Sequence, residues 1–297
     1  MSTAGAGQAR EAYEARVVDA DTAVAAIHSG SRVRFPLGHN PQLLGDHLAA
    51  RVEELHDVVI GHTGVGGTFP WLGPGFDDAF SVVHEHWASP LAWKMMNERR
   101  ADYLPMPFSL RFKAEADGRP TDEQRPYDVV CIQVSPPDEH GRVNLGPFVW
   151  DAPSYVERAG VVLAEVVPNM PRLAGEGTLP VEAVPHFVEG DARPTQGFDM
   201  PVDAVAGTLA GHLGELIRDG DCLQIGAGTA TFTMATALVD VLADRVDLGW
   251  HSEATPPGIV PLIDAGVITS RHVAPHPRVA VSAGWAVAGD RMEWLDG

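Results

Sequence analysis

The chain has 297 residues, with 21 Lys or Arg against 40 Asp or Glu and a formal charge of −19. That length predicts two domains. The charge argues against nucleic acid, whose phosphates need a basic footprint, and against anionic membrane surfaces. No apolar run is long enough to span a bilayer, and residues 1–15 lack the pattern of a secretory signal.

In chain order, residues 1–16 read as a flexible tail of small residues. A helix follows over Asp19–Ser29 with Asp21 as N-cap. Arg32–Phe35 is a short strand, Pro41–Leu55 a helix opened by proline, and Val58–His62 a second strand. Gly64–Gly75 is a functional or packing loop whose Phe69, Trp71 and Phe76 read as core or lid rather than a cofactor box. Phe80–Trp87 is extended and Leu91–Arg100 helical. Asp128–Ser135 and Val161–Val167 are near-continuous apolar runs, the pattern of central parallel strands covered on both faces. The polar, proline-containing Gly190–Pro201 reads as a linker. Beyond it come a helix over Val202–Asp219, strands at Cys222–Ile225 and Val246–Trp250, a short helix over Pro261–Ala265 and the start of a strand at Val279–Ser282. Strands alternating with helices predict an α/β protein of two similar open lobes, residues 17–192 and 202–297, the second incomplete. Cys131 and Cys222 sit in strand-like runs and read as buried thiols in a reducing, cytoplasmic setting rather than a disulfide or metal pair.

The two lobes share an internal repeat. Ala26–Gly38 and Leu216–Gly228 each carry an apolar helix end, a Gly, a short strand and a second Gly, and each leads to an amphipathic stretch and another strand. The strand ends at His62-Thr63-Gly64 in the first copy and His251-Ser252-Glu253 in the second, which sets Glu253 against Gly64. A carboxylate at a strand end can be nucleophile, base or metal ligand, or only a cap. A glutamate present in one copy is not required by the shared fold.

Gly226-Ala227-Gly228 follows a strand and precedes a helix, so Gly226, Ala227, Gly228, Thr229 and Ala230 form either an anion-accepting loop or a tight turn. The third glycine of a dinucleotide fingerprint is missing, with Thr231 at that spacing, and no lysine makes it a phosphate loop. Gly38, His39, Asn40 and Pro41 form the matching loop of the first lobe. His84-Glu85-His86 places two imidazoles on one face of a strand, but no third metal ligand is identifiable. Asp138-Glu139-His140 reads as part of a rigid Pro-Pro loop, with Asp138 capping the turn.

The run Ile132–Gly141, IQVSPPDEHG, resembles a signature of the acetyl-CoA hydrolase/transferase family, which includes the 4-hydroxybutyrate and succinyl-CoA:acetate CoA-transferases. Ala164–Arg172, Leu223–Gly228, Gly249–Glu253 and Ala265–Thr269 resemble further stretches of it. The resemblance implies the two-lobed class I CoA-transferase fold with a site where the lobes meet. It implies Glu253 as nucleophile, Gly226–Ala230 as oxyanion and CoA loop, and Gly38, His39, Asn40, Pro41, His62 and Pro136 as substrate-binding residues. The substrates would be an acyl-CoA, coenzyme A thioester being substrate rather than bound cofactor, and a carboxylic acid, with no metal. The sequence departs from the family at Ala254-Thr255-Pro256-Pro257 and Thr229-Ala230-Thr231-Phe232, and it ends before the family's glycine-rich CoA segment. The expectation is therefore an oligomer completed by a second subunit or a C-terminal part. An acyl-CoA hydrolase and a non-catalytic subunit of a split complex stay open as alternatives.

Overall fold

The computed structural model describes residues 3–63, 68–85, 89–113, 117, 125–192, 201–285 and 294–296, without the side chains of residues 3–6. The chain divides into two units, residues 1–193 and 194–297. Each is treated by itself below.

In the first unit, seven strands form one wholly parallel sheet. They are β1 (Arg32–Phe35), β2 (Val58–His62), β3 (Phe80–Glu85), β4 (Ala101–Leu104), β5 (Val129–Val134), β7 (Val161–Val166) and β9 (His186–Glu189). Their order is β4-β3-β2-β1-β5-β7-β9. A separate antiparallel pair is made by β6 (Arg142–Asn144) and β8 (Thr178–Pro180). Side chains alternate across the sheet. Val129, Cys131 and Leu163 enter one core with Val33, Phe35, Ile60, Phe69 and Trp71, under the helices α2 (Ala20–Val24) and α3 (Gln42–Ala50). Val130, Ile132, Val162 and Ala164 enter a second core with Tyr127, Tyr155 and Phe187. Burial on both faces is why β5 and β7 are continuous apolar runs.

The first residues are not a flexible tail. Helix α1 (Thr3–Glu14) carries an Arg10–Glu14 pair at 2.7 Å, and its buried Tyr13 ring lies 5.0 Å from that of Phe187. Helix α2 is capped by Asp19, whose carboxylate accepts from the Thr22 amide, rather than by Asp21. The short helices α4 (Pro90–Asn97), α5 (Phe108–Arg111) and α6 (Ala152–Arg158) complete the unit.

In the second unit, β10 (Cys222–Leu223), β11 (Gly249–Thr255) and β12 (Val281–Trp285) make a parallel sheet of order β10-β11-β12. Helices α7 (Ala204–Leu216), α8 (Thr229–Leu242) and α9 (Val260–Asp264) supply its core with Trp250, Leu248 and Ile268. Asp203 caps α7 by accepting from the Ala206 amide, a contact of the kind that contributes about 1 kcal/mol.

The repeat holds at the level of single backbone bonds, at a constant spacing of 190 residues. Gly30 and Gly220 both have left-handed backbones (φ 80° and 82°), as do Asp57 and Asp247 (φ 57° each). The Gly30 amide donates to the His56 carbonyl and the Gly220 amide to that of Val246, both at 3.0 Å. Arg32 pairs with Val59 in register, and Cys222 with Gly249. This spacing sets Glu253 against Thr63, not Gly64, which lies outside the described residues.

Candidate active site

Strand β11 runs past the expected end at Trp250, through Glu253 to Thr255, because Ser252 and Ala254 turn inward and pair with β12. Trp250, Ser252 and Ala254 are buried, while His251 is exposed and Glu253 partly exposed. Glu253 thus leaves by the face opposite the helices. Ser252 locks the strand to β10: its hydroxyl accepts from the Ile225 amide at 3.2 Å and lies 3.0 Å from the Ile225 carbonyl. That contact places the glycine loop next to Glu253.

The loop itself is open. Gly226, Ala227, Gly228, Thr229 and Ala230 are all exposed. Gly228, the residue before α8, has φ 157° and ψ 155°, a region essentially closed to other residues. The Thr231 hydroxyl braces the loop, 2.6 Å from the Gly226 carbonyl and 2.9 Å from that of Gly228. Helix α8 starts with no side-chain cap, and among the described residues no carboxylate accepts from its first amides.

The matching helix start in the first unit is filled. Glu165 of β7 reaches under α3, and its Oε2 accepts from the Leu43 amide at 2.8 Å and from Leu44 at 3.4 Å. Gly38 (φ 80°) lies so close to Phe148 that a Cβ would meet its side chain at 2.5 Å. The buried His39 accepts at Nδ1 from the Gln133 amide (3.1 Å), so Nε2 carries the proton and donates to the Phe148 carbonyl (3.0 Å). Burial lowers its pKa to about 4. The Asn40 amide donates to Gln133 Oε1 at 3.0 Å, and Pro41 precedes α3. Gly38, His39, Asn40 and Pro41 are therefore held by packing within their own unit. The Pro136 carbonyl accepts from Arg172 at 2.6 Å, and Arg172 pairs with Asp138 at 3.0 Å. Asp138 also accepts from the amides of His140 and Arg142, which makes it the cap of the turn.

His62 and His84 face each other across β2 and β3, ring centroids 5.7 Å apart. Burial, with the neighbouring imidazole and Arg34, lowers the His62 pKa to about 3; burial lowers that of His84 to about 4. Among the described residues no hydrogen bond of normal geometry reaches their ring nitrogens. His86 lies outside the described residues, and among those described no three His, Cys, Asp or Glu are grouped to hold a metal.

Sequence reasoning missed a buried charge cluster on the other face of β3. Arg34 Nη1 lies 3.3 Å from Glu85, Arg111 Nε 3.3 Å from the same carboxylate, and Arg34 Nη2 3.6 Å from Asp151. Tyr127 and Tyr155 donate to Glu85 at 2.8 and 3.0 Å. Despite burial, the arginines and tyrosine donors bring the Glu85 pKa down to about 2. Arg34 also donates to Thr63 Oγ1 at 2.6 Å. An arginine set between Val33 and Phe35 in β1 was the available signal. The cysteines are both free, and Cys222 is exposed rather than buried.

A cleft of about 710 Å³ lies between α1 and the Pro137–Glu139 loop. Glu14, Asp138, Glu139 and Glu189 line it against Arg10 alone, the wrong charge for a nucleotide's phosphates. It is in the first unit, whereas Glu253 and the glycine loop are in the second.

Among characterised proteins, the chain is 29% identical over 269 residues to 4-hydroxybutyrate coenzyme A transferase of Clostridium kluyveri, covering 90% of this chain and 60% of that protein. It is 28% identical over 269 residues to succinyl-CoA:cyclohexane-1-carboxylate CoA transferase of Geobacter metallireducens, covering 89% and 58%. The chain thus spans about three-fifths of the length of these relatives. The fold matches RipA from Yersinia pestis (TM-score 0.81, 23% identity, 97% of this chain and 66% of that one). It also matches 4-hydroxybutyrate CoA-transferase from Porphyromonas gingivalis (TM-score 0.74, 24% identity, 97% and 67%). The profile of the acetyl-CoA hydrolase/transferase N-terminal domain matches residues 1–196, two-thirds of the chain, and the protein belongs to that family.

Proposed function

We propose that this protein moves coenzyme A between an acyl-CoA and a carboxylic acid, with Glu253 as nucleophile. A Glu253 oxygen attacks the thioester carbonyl. A C–O bond forms, the C–S bond breaks, and CoA leaves as thiolate from an acyl-glutamyl anhydride. The thiolate returns to the glutamyl carbonyl, releasing the acyl group as carboxylate and leaving a glutamyl-CoA thioester. The acceptor carboxylate repeats the exchange in reverse. The loop amides from Gly226 to Ala230 stabilise the oxyanion formed at each attack. The observation that carries this reading is a partly exposed carboxylate on β11, next to a glycine loop whose helix start has no side-chain cap.

The exposure of that face supports a second reading, acyl-CoA hydrolysis, because water that reaches the anhydride becomes the acceptor. The first-unit residues His62 and Pro136, with the Gly38–Pro41 loop, are read as shaping the acyl-binding side. The protein is read as cytoplasmic, consistent with its free cysteines, and as working in an oligomer with a second CoA-transferase-like subunit or a C-terminal part. The test is incubation with acyl-CoA followed by borohydride, with peptide mass spectrometry, on the chain alone and with a candidate partner. Reduction at Glu253 is expected. Turnover that needs an acceptor acid marks a transferase, and release without one a hydrolase. An active assembly in which Glu253→Gln retains full turnover would make this chain a non-catalytic subunit and end the proposal.

A further inference from the structure

We infer that Ser252 is a positioning residue that sets the gap between Glu253 and the glycine loop, an assignment that rests on the reading of Glu253 as nucleophile and deepens it. The internal repeat shows what is particular to this position. At the constant spacing fixed by Gly30 and Gly220 and by Asp57 and Asp247, Ile225 and Ser252 take the places of Phe35 and His62. In the first unit the register of β1 with β2 runs on to Phe35 and His62. In the second the register of β10 with β11 ends earlier, at Leu223 and Trp250. Where it ends, a side chain takes over from the backbone. Ser252 Oγ accepts from the Ile225 amide at 3.2 Å and lies 3.0 Å from the Ile225 carbonyl.

The same hydroxyl lies 2.7 Å from the Ala254 carbonyl. Its partners are thus the residue just before Gly226 and the residue just after Glu253. A serine hydroxyl has one proton and two lone pairs, so it shares the proton between the two carbonyls while accepting from the amide. Ser252, Ile225 and Ala254 are all buried, where such bonds are not exchanged for water. A second serine repeats the arrangement on the neighbouring strand. Ser282 of β12 is in register with Ser252, as His84 is with His62. Its Oγ lies 2.9 Å from the Gly284 carbonyl and 3.4 Å from that of Glu253. The histidine pair of the first unit is replaced by two hydroxyls that bond the backbone around Glu253.

The effect on the proposed reaction is one of spacing. Direct strand pairing would draw Ile225 onto β11 and carry the loop with it. A hydroxyl set between the two backbones holds them apart by the width of one oxygen and fixes both sides of the gap at once. A thioester carbonyl attacked there must meet the carboxylate at its carbon and the loop amides at its oxygen, and a misplacement of about 1 Å costs about 10²-fold in rate. Ser252 touches neither reacting atom; it acts through the backbone of its neighbours.

The test uses the whole chain, with its partner if turnover requires one, as wild type, Ser252→Ala, Ser252→Cys and Ser252→Thr. The first readout needs no activity: in hydrogen exchange the Ile225 amide should exchange at least about tenfold faster in Ser252→Ala, with the amides of α8 unchanged. The second is the rate of borohydride trapping at Glu253. At saturating acyl-CoA it should fall about 10²-fold in Ser252→Ala with KM changed less than about twofold, and Ser252→Thr, which keeps the hydroxyl, should return to within about threefold of wild type. Ser252→Cys keeps the shape with a weaker donor and acceptor; a fall of about tenfold is expected, and this variant decides the matter if Ser252→Ala does not fold. Trapping in the wild type with the same rate in folded Ser252→Ala, or in Ser252→Cys, overturns the positioning role and leaves the nucleophile in place. Equal losses in Ser252→Ala and Ser252→Thr overturn it too, because the hydroxyl is then not what matters. Faster exchange at Ile225 with no trapping in the wild type overturns the nucleophile reading itself, and the positioning role falls with it.

Discussion

Glu253→Gln removes the proposed nucleophile without changing the shape of the strand, and acyl transfer should fall at least about 10³-fold with folding intact. Glu253→Asp retracts the carboxylate by one methylene, and a loss of about 10²-fold is expected from misplacement alone. Steady-state turnover and thermal melts of both variants check this; wild-type turnover in either ends the assignment. The glycine loop separates into two cases. At Gly226 a Cβ meets nothing within 4 Å and the backbone is ordinary, so Gly226→Ala should keep stability within about 0.5 kcal/mol. If the loop closes on the thioester, that variant loses turnover while melting like wild type. Gly228→Val instead forces a valine into a glycine-only conformation at a cost of about 1–3 kcal/mol, and lost activity there would not distinguish site from fold. Glu253 was legible in the sequence as a residue that one copy has and the other lacks. Its counterpart was not: aligning the polar steps by eye selects Gly64, whereas backbone bonds one strand earlier select Thr63. The Arg34–Glu85–Arg111 cluster was illegible because its members are far apart in sequence and only the sheet brings them together.

The strands that read most clearly, β5 and β7, are buried on both faces, where every position must be apolar. Strand β11 read two ways, because buried and exposed residues alternate there and its polar second half resembles a loop until the partner β12 is known. Helix α1 read as a tail because its small residues give no strong pattern; the contact of Tyr13 with Phe187, distant in sequence, orders its end. At the same scale, β2, β3 and the loop before α3 hold three buried neutral histidines, His62, His84 and His39. Their folded pKa values, about 3, 4 and 4, lie below the unfolded value near 6.5. Below that pH the unfolded chain binds more protons, so stability is full above about pH 7 and falls as pH drops through 6.5 toward 4, by about 1.4 kcal/mol per pH unit for each histidine. Denaturant unfolding of the first unit between pH 8 and 4.5 should show this slope, reduced by one proton in His84→Gln; a stability independent of pH over that range contradicts it. Glu85→Gln would leave Arg34 and Arg111 buried beside a neutral amide, and a loss of about 3–5 kcal/mol is expected in the same assay.

Across the molecule, the two units differ in how much of their sheet is covered. In the first, seven strands lie between two cores; in the second, three strands have a core on one face, and Cys222 and His251 are exposed on the other. Helix α7 also exposes Val205, Leu209 and Leu216. Opening free energy should follow this difference. In hydrogen exchange, the amides of β10 and β11 should exchange at least about tenfold faster than those of β1 and β5 in the isolated chain, and slow on addition of a partner that covers them. Equal protection in the two sheets would show that the exposed face carries no energetic cost. Light scattering with size-exclusion chromatography, alone and with candidate subunits, tests the same expectation at the level of assembly.

The plugged helix start of the first unit has a historical meaning. Duplication of a strand–helix–strand unit yields two equivalent anion-accepting sites, and selection need keep only one. By bringing Glu165 from β7 to the amides of Leu43 and Leu44, the first copy carries a permanent ligand of its own. The corresponding helix of the second copy, α8, begins without a side-chain cap. Removing the plug, as in Glu165→Ala, would leave the amides of Leu43 and Leu44 without that carboxylate. Rescue of that variant's stability by added formate or acetate would read out the plugged site directly.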